Sequence, residues 1–399
     1  MASDRLSLGH GVWRFLPERA RRSALGAIAS ALAPRADSLP STPSYGLAVG
    51  GELAAATGLG GAARHLQAGA QALGLGGYPV TLGVGRVPRG RIPDGAALLL
   101  AVNAPSLPLM LAGAKKTMLR RRVIGSWVWE LPVVPKGWAA SGRYVHEVWA
   151  PSPFVAQALE AILPGRVRMV PYPLALGGLP ADNEAFGLDL PCHVTVTLMV
   201  LSLGSSFTRK NPMAAIQAFK RAFANRVDQR LVVKLHGAAA YPREAAQIEA
   251  CAGPNIQVIG GVWPETRMAA LLARADIILS LHRSEGFGLV LAEAMLRGKP
   301  VVATGWSGNM AFMDETSAAI IGYRLVNVKD ETGIYKPLQD AHWAEPDVAH
   351  AAEWLRKLGD DAALRLDMGG RARVHAAAAL NGEAMRQALL ANGVMQAPP

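Results

Sequence analysis

At 399 residues, 51% of them hydrophobic and with 42 glycines, the chain is too long for one core and too apolar for disorder, so two α/β domains are the expectation. Its 2 cysteines exclude a disulfide framework; apart from Cys192 beside His193 they have no metal-ligand spacing, and they point to a reducing cytoplasm. The net charge is +11, from 41 Lys and Arg against 30 Asp and Glu, but without aromatic-basic interleaving, zinc-finger spacing or a recognition helix it argues against nucleic acid and leaves an anionic membrane surface or a diphosphate.

Residues 1–44 read as an appended basic helix and a linker. Arg19, Arg21 and Arg22 before the alanine-rich stretch 24–33 imitate a signal peptide, yet the charge begins too far in, and a basic amphipathic helix over 14–22 and beyond fits better. No apolar run approaches the ~18 to 20 residues that span a bilayer. A second basic cluster gathers Lys115, Lys116, Arg120, Arg121 and Arg122.

From 45 to 180 the pattern alternates. Strands are expected at 47–51, 78–82, 97–102, 123–128, 145–150 and 167–170, with a glycine loop opening a helix at TGLGGAAR and another helix over 154–163. The segment 171–191, rich in Pro, Gly and Asp, is the interdomain linker. A second alternating half, 192–345, has strands at 194–203, 231–235, 256–259, 276–281 and 300–304. Residues 346–399 form helices expected to cross back to the first half. Two Rossmann-like halves with parallel sheets, facing a cleft, are the predicted architecture.

The chemistry concentrates in SEGFGLVLAEAM. Strand, glycine turn, helix and strand make a βαβ unit, and ligands of such sheets bind beyond the carboxyl ends of the strands. Gly286, Phe287 and Gly288 form the turn; the helix opening after them leaves free N–H groups and a positive dipole end for a phosphate. Glu293 then lies about 7 to 8 Å further along at ~1.5 Å per residue, roughly the span from a diphosphate to a ribose. Glu285, before the turn, faces whatever the far phosphate carries. Read singly, each glutamate is as well a solvated charge; together at that edge they suit a nucleotide sugar.

Arg209 and Lys210 in RKNP precede Pro212, a favoured first helical residue, on the same predicted edge. Two cations there hold a diphosphate and neutralise it as it leaves, or simply cap a surface loop. Gly58, Gly60 and Gly61 lack the dinucleotide spacing, so they are a weak NAD fingerprint that still brings backbone close to a sugar or phosphate; Arg64 faces cleft or solvent. Trp127, Trp129 and Glu130 end a first-half strand, the tryptophans as sugar platforms or as core, Glu130 as the better functional candidate. His146 begins a strand and reads as structural. Trp263 borders a base pocket or packs an interface, and Ser307 and Asn309 in TGWSGN supply small hydrogen-bonding groups. No Ser-His-Asp, Cys-His or metal-ligand constellation is present, which steers away from hydrolases and metalloenzymes.

At these residues the chain resembles the retaining GT-B glycosyltransferases of glycosyltransferase family 4, over roughly 45–385. Glu285 to Glu293 matches the family's E-x7-E motif; RKNP, TGLGGAAR, EVWAPSPFV, ARADIILSLHRSEGFG and RGKPVVATGWSGN support it. The resemblance implies Glu293 on the ribose, Glu285 on the donor sugar, Arg209 and Lys210 on the diphosphate, and backbone donors from Gly286 to Leu289. It implies retention of configuration without metal or cofactor, by a front-face route in which the leaving diphosphate takes the acceptor's proton. Where many members carry a histidine, this chain reads GSWVWELP, like a bacterial subgroup with a WELP-like segment, and Glu130 or Trp129 takes that place. Subgroup resemblance implies mannose from GDP-mannose. A lipid-linked oligosaccharide acceptor, in polysaccharide synthesis on the inner face of the plasma membrane, is the expected partner. A GT-B epimerase or phosphorylase, or a non-catalytic nucleotide-sugar sensor, are the alternatives.

Overall fold

A computed structural model describes residues 18–37, 46–177, 190–330, 335, 338 and 340–395; side chains are described from residue 24 onward, excepting 176 and 177. Arg14 and most of the predicted linkers 38–45 and 178–189 therefore lie outside the described residues.

The first half is a six-stranded sheet in the order β2-β1-β3-β4-β5-β6. Its strands are β1 (Leu47–Gly51), β2 (Tyr78–Thr81), β3 (Ala97–Leu100), β4 (Val123–Ser126), β5 (Glu147–Ala150) and β6 (Val167–Met169). Every pairing is parallel. The central strands β1, β3 and β4 are buried throughout, whereas β2 and β6 are largely exposed edges, and β2 carries Pro79, tolerable only at an edge. The second half repeats the scheme in the order β12-β11-β10-β7-β8-β9. Here β7 is Thr195–Ser202, β8 Gln229–His236, β9 Ile256–Ile259, β10 Ile277–Ser280, β11 Val301–Thr304 and β12 Ala319–Ile321. A hairpin, β13 (Tyr323–Asn327) with β14 (His342–Pro346), follows this sheet and has no counterpart in the sequence reading.

Most predicted strands end earlier than expected. Residues 127–128 leave β4 because the chain turns there into the cleft, with Val128 N–H bonded to Asn103 Oδ1 at 2.8 Å rather than to a neighbouring strand. His146 sits before β5, accepts the Val123 N–H at Nδ1 (2.9 Å) and meets Asp37 O at Nε2 (2.8 Å), so it ties β4 and the 18–37 segment together.

Two apolar clusters join the halves, one of them packing Trp129 and Trp138 with Tyr335 and Trp343 and the other larger. The larger runs from Val49 and Leu66 through Tyr172 to Phe287 and Leu291, and on to Met385 and Leu389 of the last helix, Glu383–Ala391. Ala175 N–H donates to Leu380 O at 3.1 Å, and Asn392 links Glu147 (2.6 Å) with the Arg122 guanidinium, so the end of the chain is bonded to the first half.

Candidate active site

In the second sheet β7 and β10 are neighbours, and the chain departs from them toward opposite edges. The carboxyl ends at such a switch point leave a crevice. After β7, a short turn and one helical turn, Phe207–Lys210, carry Arg209 and Lys210. Ser206 (φ 68°) and Asn211 (φ 50°), on either side, adopt left-handed backbone that non-glycine residues reach only at a cost, and such strain gathers at functional sites. Ser206 Oγ holds its conformation by accepting the Arg209 N–H (3.2 Å) and donating to Asp330 Oδ1 (3.0 Å).

Arg209 is buried, with partners at both Nη groups and none at Nε. Its Nη1 donates to Ser284 O (2.7 Å) and lies 3.2 Å from Glu285 Oε2; Nη2 donates to Ser205 O (2.9 Å) and lies 3.9 Å from Glu130 Oε1. Lys210 Nζ meets Glu285 Oε1 at 2.5 Å. Burial opposes ionisation of Glu285, but the Lys210 and Arg209 charges outweigh it and hold the carboxyl at about 2. Burial likewise opposes the Arg209 charge, and the Glu285 and Glu130 carboxylates help to restore it. Glu285 is thus an anion at any physiological pH.

The Glu285 backbone is clamped from the next loop: its N–H donates to Ser307 Oγ (2.8 Å), and Gly308 N–H donates to Glu285 O (2.8 Å). Gly286 reaches across the cleft, where Ser152 Oγ donates to Gly286 O at 2.9 Å. No side chain fits there: a Cβ on Gly286 would lie 2.2 Å from Val128 Cγ2. Gly288 (φ 97°) opens the helix Leu289–Leu296 without a side-chain cap; Leu291 N–H turns back to Gly288 O (3.0 Å), which leaves the N–H groups of Leu289 and Val290 as the helix's free positive end. Phe287 contributes backbone only, since its ring is buried edge-on against Tyr172 at 4.8 Å. Leu289 touches Gly61 of the facing helix, with its Cδ1 3.6 Å from where a Cβ would stand.

Across the cleft, the helix Gly58–Ala72 is capped by Thr57, whose Oγ1 accepts the Gly60 N–H at 3.1 Å. Gly60 is obligatory, because a Cβ would lie 2.2 Å from Ala55 O, whereas Gly58 has open space beside it. Arg64 faces the cleft: it donates to Leu53 O (2.7 Å) and Ala55 O (3.0 Å) and pairs with Glu265 of the second half. Glu293, on the helix Leu289–Leu296, meets His65 Nε2 at 3.3 Å. Trp127 is core, edge-on to Trp138 at 6.1 Å. Trp129 is also mostly buried, with Nε1 donating to Val133 O at 2.8 Å and its ring 5.4 Å from Tyr335. Glu130 stays partly exposed between Arg209 and Tyr335, whose phenol donates to Glu130 Oε2 at 3.2 Å. Trp263 is partly buried under the Arg267 guanidinium (3.8 Å) and near Lys234 Nζ (4.9 Å).

The side chains of Ser307 and Asn309 are committed to the protein itself. Asn309 donates to Thr304 O (3.0 Å), and its Oδ1 lies 3.0 Å from His282 Nε2; burial lowers the pKa of that histidine and keeps it neutral. Among the described residues, no group of three or more His, Cys, Asp or Glu is placed to hold a metal ion.

Comparisons with known proteins fit this geometry. Residues 195–323 match the family described as Glycosyl transferases group 1. That stretch contains Arg209, Lys210, Glu285 and Glu293. The structure of Anabaena Alr3699/HepE in complex with UDP and glucose superposes with a TM-score of 0.59 at 12% identity, covering 87% of this chain and 99% of that one. A variant of S. aureus TarM in complex with UDP gives 0.53 at 12% identity, over 76% of this chain and 56% of that one. The fold is GT-B. In the GT-B arrangement the cleft described above lies between the two sheets. Two curated relatives are D-inositol 3-phosphate glycosyltransferases: one from Corynebacterium kroppenstedtii, 29% identical over 196 residues, and one from Pseudarthrobacter chlorophenolicus, 38% identical over 112. These matches take in 47% and 27% of this chain but only 38% and 21% of the relatives' lengths.

Sequence reasoning missed Tyr335, His65, Ser152 and Ser206. Ser152 had a usable signal, because it follows β5 at the carboxyl edge of the sheet. Tyr335 had none, since it joins the site from the connection between β13 and β14.

Proposed function

We propose that the protein is a retaining glycosyltransferase of family 4, of the subgroup with a WELP-like segment. It would move a hexose, mannose as first candidate, from a nucleoside diphosphate sugar to a hydroxyl acceptor. The observation that carries this reading is the Glu285 carboxylate held between Lys210 and Arg209, beside the open end of the helix Leu289–Leu296 and facing Glu130. On this reading the two cations and the N–H groups at the helix start would meet the diphosphate, and the two carboxylates the sugar. Structures with this fold in complex with UDP and glucose support the donor class.

The charges also favour a route without a strong protein base. With its pKa at about 2, Glu285 has no proton to give and little tendency to take one, so it acts as a hydrogen-bond acceptor for sugar hydroxyls. As the bond from C1 to the phosphate oxygen breaks, negative charge grows on the diphosphate, and Arg209, Lys210 and the helix end stabilise it. The acceptor oxygen bonds to C1 on the same face while its proton passes to the departing diphosphate oxygen. No metal or cofactor is required by this chemistry. Glu293 would hold the ribose hydroxyls, exchanging His65 for them.

We further propose a lipid-linked oligosaccharide acceptor and peripheral binding to the inner face of the plasma membrane. Support comes from the helix Glu18–Leu32, which packs on the short helix Leu107–Leu111 while exposing Leu25, Ile28 and Leu32. Exposed Val84, Arg86 and Val87 belong to a loop bonded to the same short helix, Gly85 N–H donating to Leu109 O at 3.5 Å, and exposed Lys115 and Lys116 follow that helix in the chain. Apolar side chains rimmed by cations suit an anionic lipid surface. No helix among the described residues is long and apolar enough to cross a membrane. The test is a panel of nucleotide sugars read by release of nucleoside diphosphate, with and without an acceptor extract. Acceptor-dependent release from one donor supports transfer. Interconversion of the sugar without acceptor, or binding without release, would replace this reading by an epimerase or a sensor.

A further inference from the structure

The hairpin β13–β14 begins at Tyr323, the last residue of the stretch matched to the glycosyltransferase family. It is fastened to the site at several points. Glu345 of β14 takes both Arg283 Nε (2.6 Å) and Nη2 (3.1 Å), and Ala344 N–H donates to Arg283 O (2.9 Å), two residues before Glu285. Asp330 accepts Ser206 Oγ (3.0 Å) on one oxygen and the Tyr335 N–H (3.4 Å) on the other. The loop bearing Arg209 and the residue Tyr335 are therefore set by one carboxylate.

Tyr335 is 3% exposed, its ring packed against Trp129 (5.4 Å) and Trp343 (6.3 Å). A ring that only filled this space would not need a hydroxyl, and a buried phenol is costly unless its oxygen is bonded. The partner it finds is Glu130 Oε2, at 3.2 Å, from the opposite half of the molecule. Glu130 is in turn 3.9 Å from Arg209, which contacts Glu285. The phenol thus ends a chain of polar contacts that runs through Glu130 and Arg209 to Glu285.

We propose that Tyr335 is a specificity-determining residue for the donor sugar, forming with Glu130 a phenol–carboxylate pair that reads a ring hydroxyl at the seam of the two halves. This rests on the glycosyltransferase reading given above. Burial pushes the phenol pKa up, so Tyr335 keeps its proton for Glu130. Its oxygen lone pair and the second Glu130 oxygen are then both acceptors that a donor-sugar hydroxyl can meet, whereas the nucleotide's own ribose hydroxyls are assigned to Glu293. The pair therefore discriminates between sugars without contributing to recognition of the base or the diphosphate.

Tyr335→Phe retains the packed ring and removes only the hydroxyl; Glu130→Gln provides the second variant. Calorimetric affinities are measured for UDP, GDP, UDP-glucose, UDP-N-acetylglucosamine and GDP-mannose. The expected result is that Tyr335→Phe binds UDP or GDP within about twofold of wild type. It should bind the preferred nucleotide sugar roughly tenfold more weakly, with a narrower preference among the sugars. Glu130→Gln should do the same, and the double variant should lose no more than the worse single one. Equal weakening of nucleotide and nucleotide sugar by Tyr335→Phe would mark a structural role, and an unchanged sugar preference would also overturn the proposal. Failure of the wild-type protein to bind any of the five probes would instead overturn the glycosyltransferase reading on which it stands.

Discussion

Glu285→Gln separates the two jobs assigned to the cation pair. Glu285 occupies Lys210 at 2.5 Å and Arg209 at 3.2 Å. Its carboxyl pKa falls from 4.5 to about 2 on folding. At ~1.4 kcal/mol per pKa unit, that corresponds to about 3 kcal/mol of stability contributed by the ionised group. Because the folded value is the lower one, this stability is complete above the unfolded pKa and is lost as pH falls through the folded one. The variant should therefore unfold about 3 kcal/mol more easily at pH 7, by urea titration, with the gap shrinking by about half near pH 3.

The same substitution leaves Arg209 and Lys210 without their carboxylate. A free nucleoside diphosphate no longer competes with Glu285 for them, so UDP or GDP should bind about tenfold tighter while turnover falls by roughly a hundredfold or more. Calorimetry and a release assay on one preparation measure both. Arg209→Ala is the control, and it should weaken the nucleotide. If Glu285→Gln weakens the nucleotide as Arg209→Ala does, Glu285 is not a stand-in for the diphosphate and the reasoning fails.

Two further outcomes test the closed cleft and the surface. Gly286→Ala places a methyl 2.2 Å from Val128 Cγ2 and 3.0 Å from Trp129 O, forcing the halves apart by on the order of 1 Å and lowering turnover about a hundredfold. Val128→Ala in the same chain should recover part of that loss, and wild-type turnover in Gly286→Ala alone would show that catalysis does not use this contact. In flotation experiments the protein should rise with vesicles containing anionic lipid, and Leu25→Asp with Ile28→Asp should abolish this; equal failure with neutral and anionic vesicles removes the support for a membrane role.

The parts of the site legible in sequence are those whose cause is local. Strand, glycine turn and helix follow one another within 276–296, so the edge that carries Glu285 and Glu293 can be placed without knowing the rest of the chain. Pro212 marks a helix start, and that puts Arg209 and Lys210 at the end of the preceding strand. What the pattern could not convey is how the polar atoms are spent. Ser307 and Asn309 lie beside the cleft as expected, yet their side chains hold the Glu285 backbone and His282. Trp127 and Trp129 end a strand at the right edge, and the packing of Trp138 draws the first into the core. Partners such as His65 for Glu293 and Tyr335 for Glu130 come from the other half, where no local periodicity records them.

The glycines of the Glu285 loop show the same division within three residues. Gly288 is required by its own backbone, because φ 97° would strain any side chain, and that requirement is visible as a helix start. Gly286 has no such backbone; it is required by Val128 and Trp129 of the opposite half. A substitution at Gly288 should therefore act on the helix end and the phosphate it faces, whichever way the halves sit. A substitution at Gly286 acts only through the approach of the halves, so Val128→Ala can relieve the second and has no means of relieving the first.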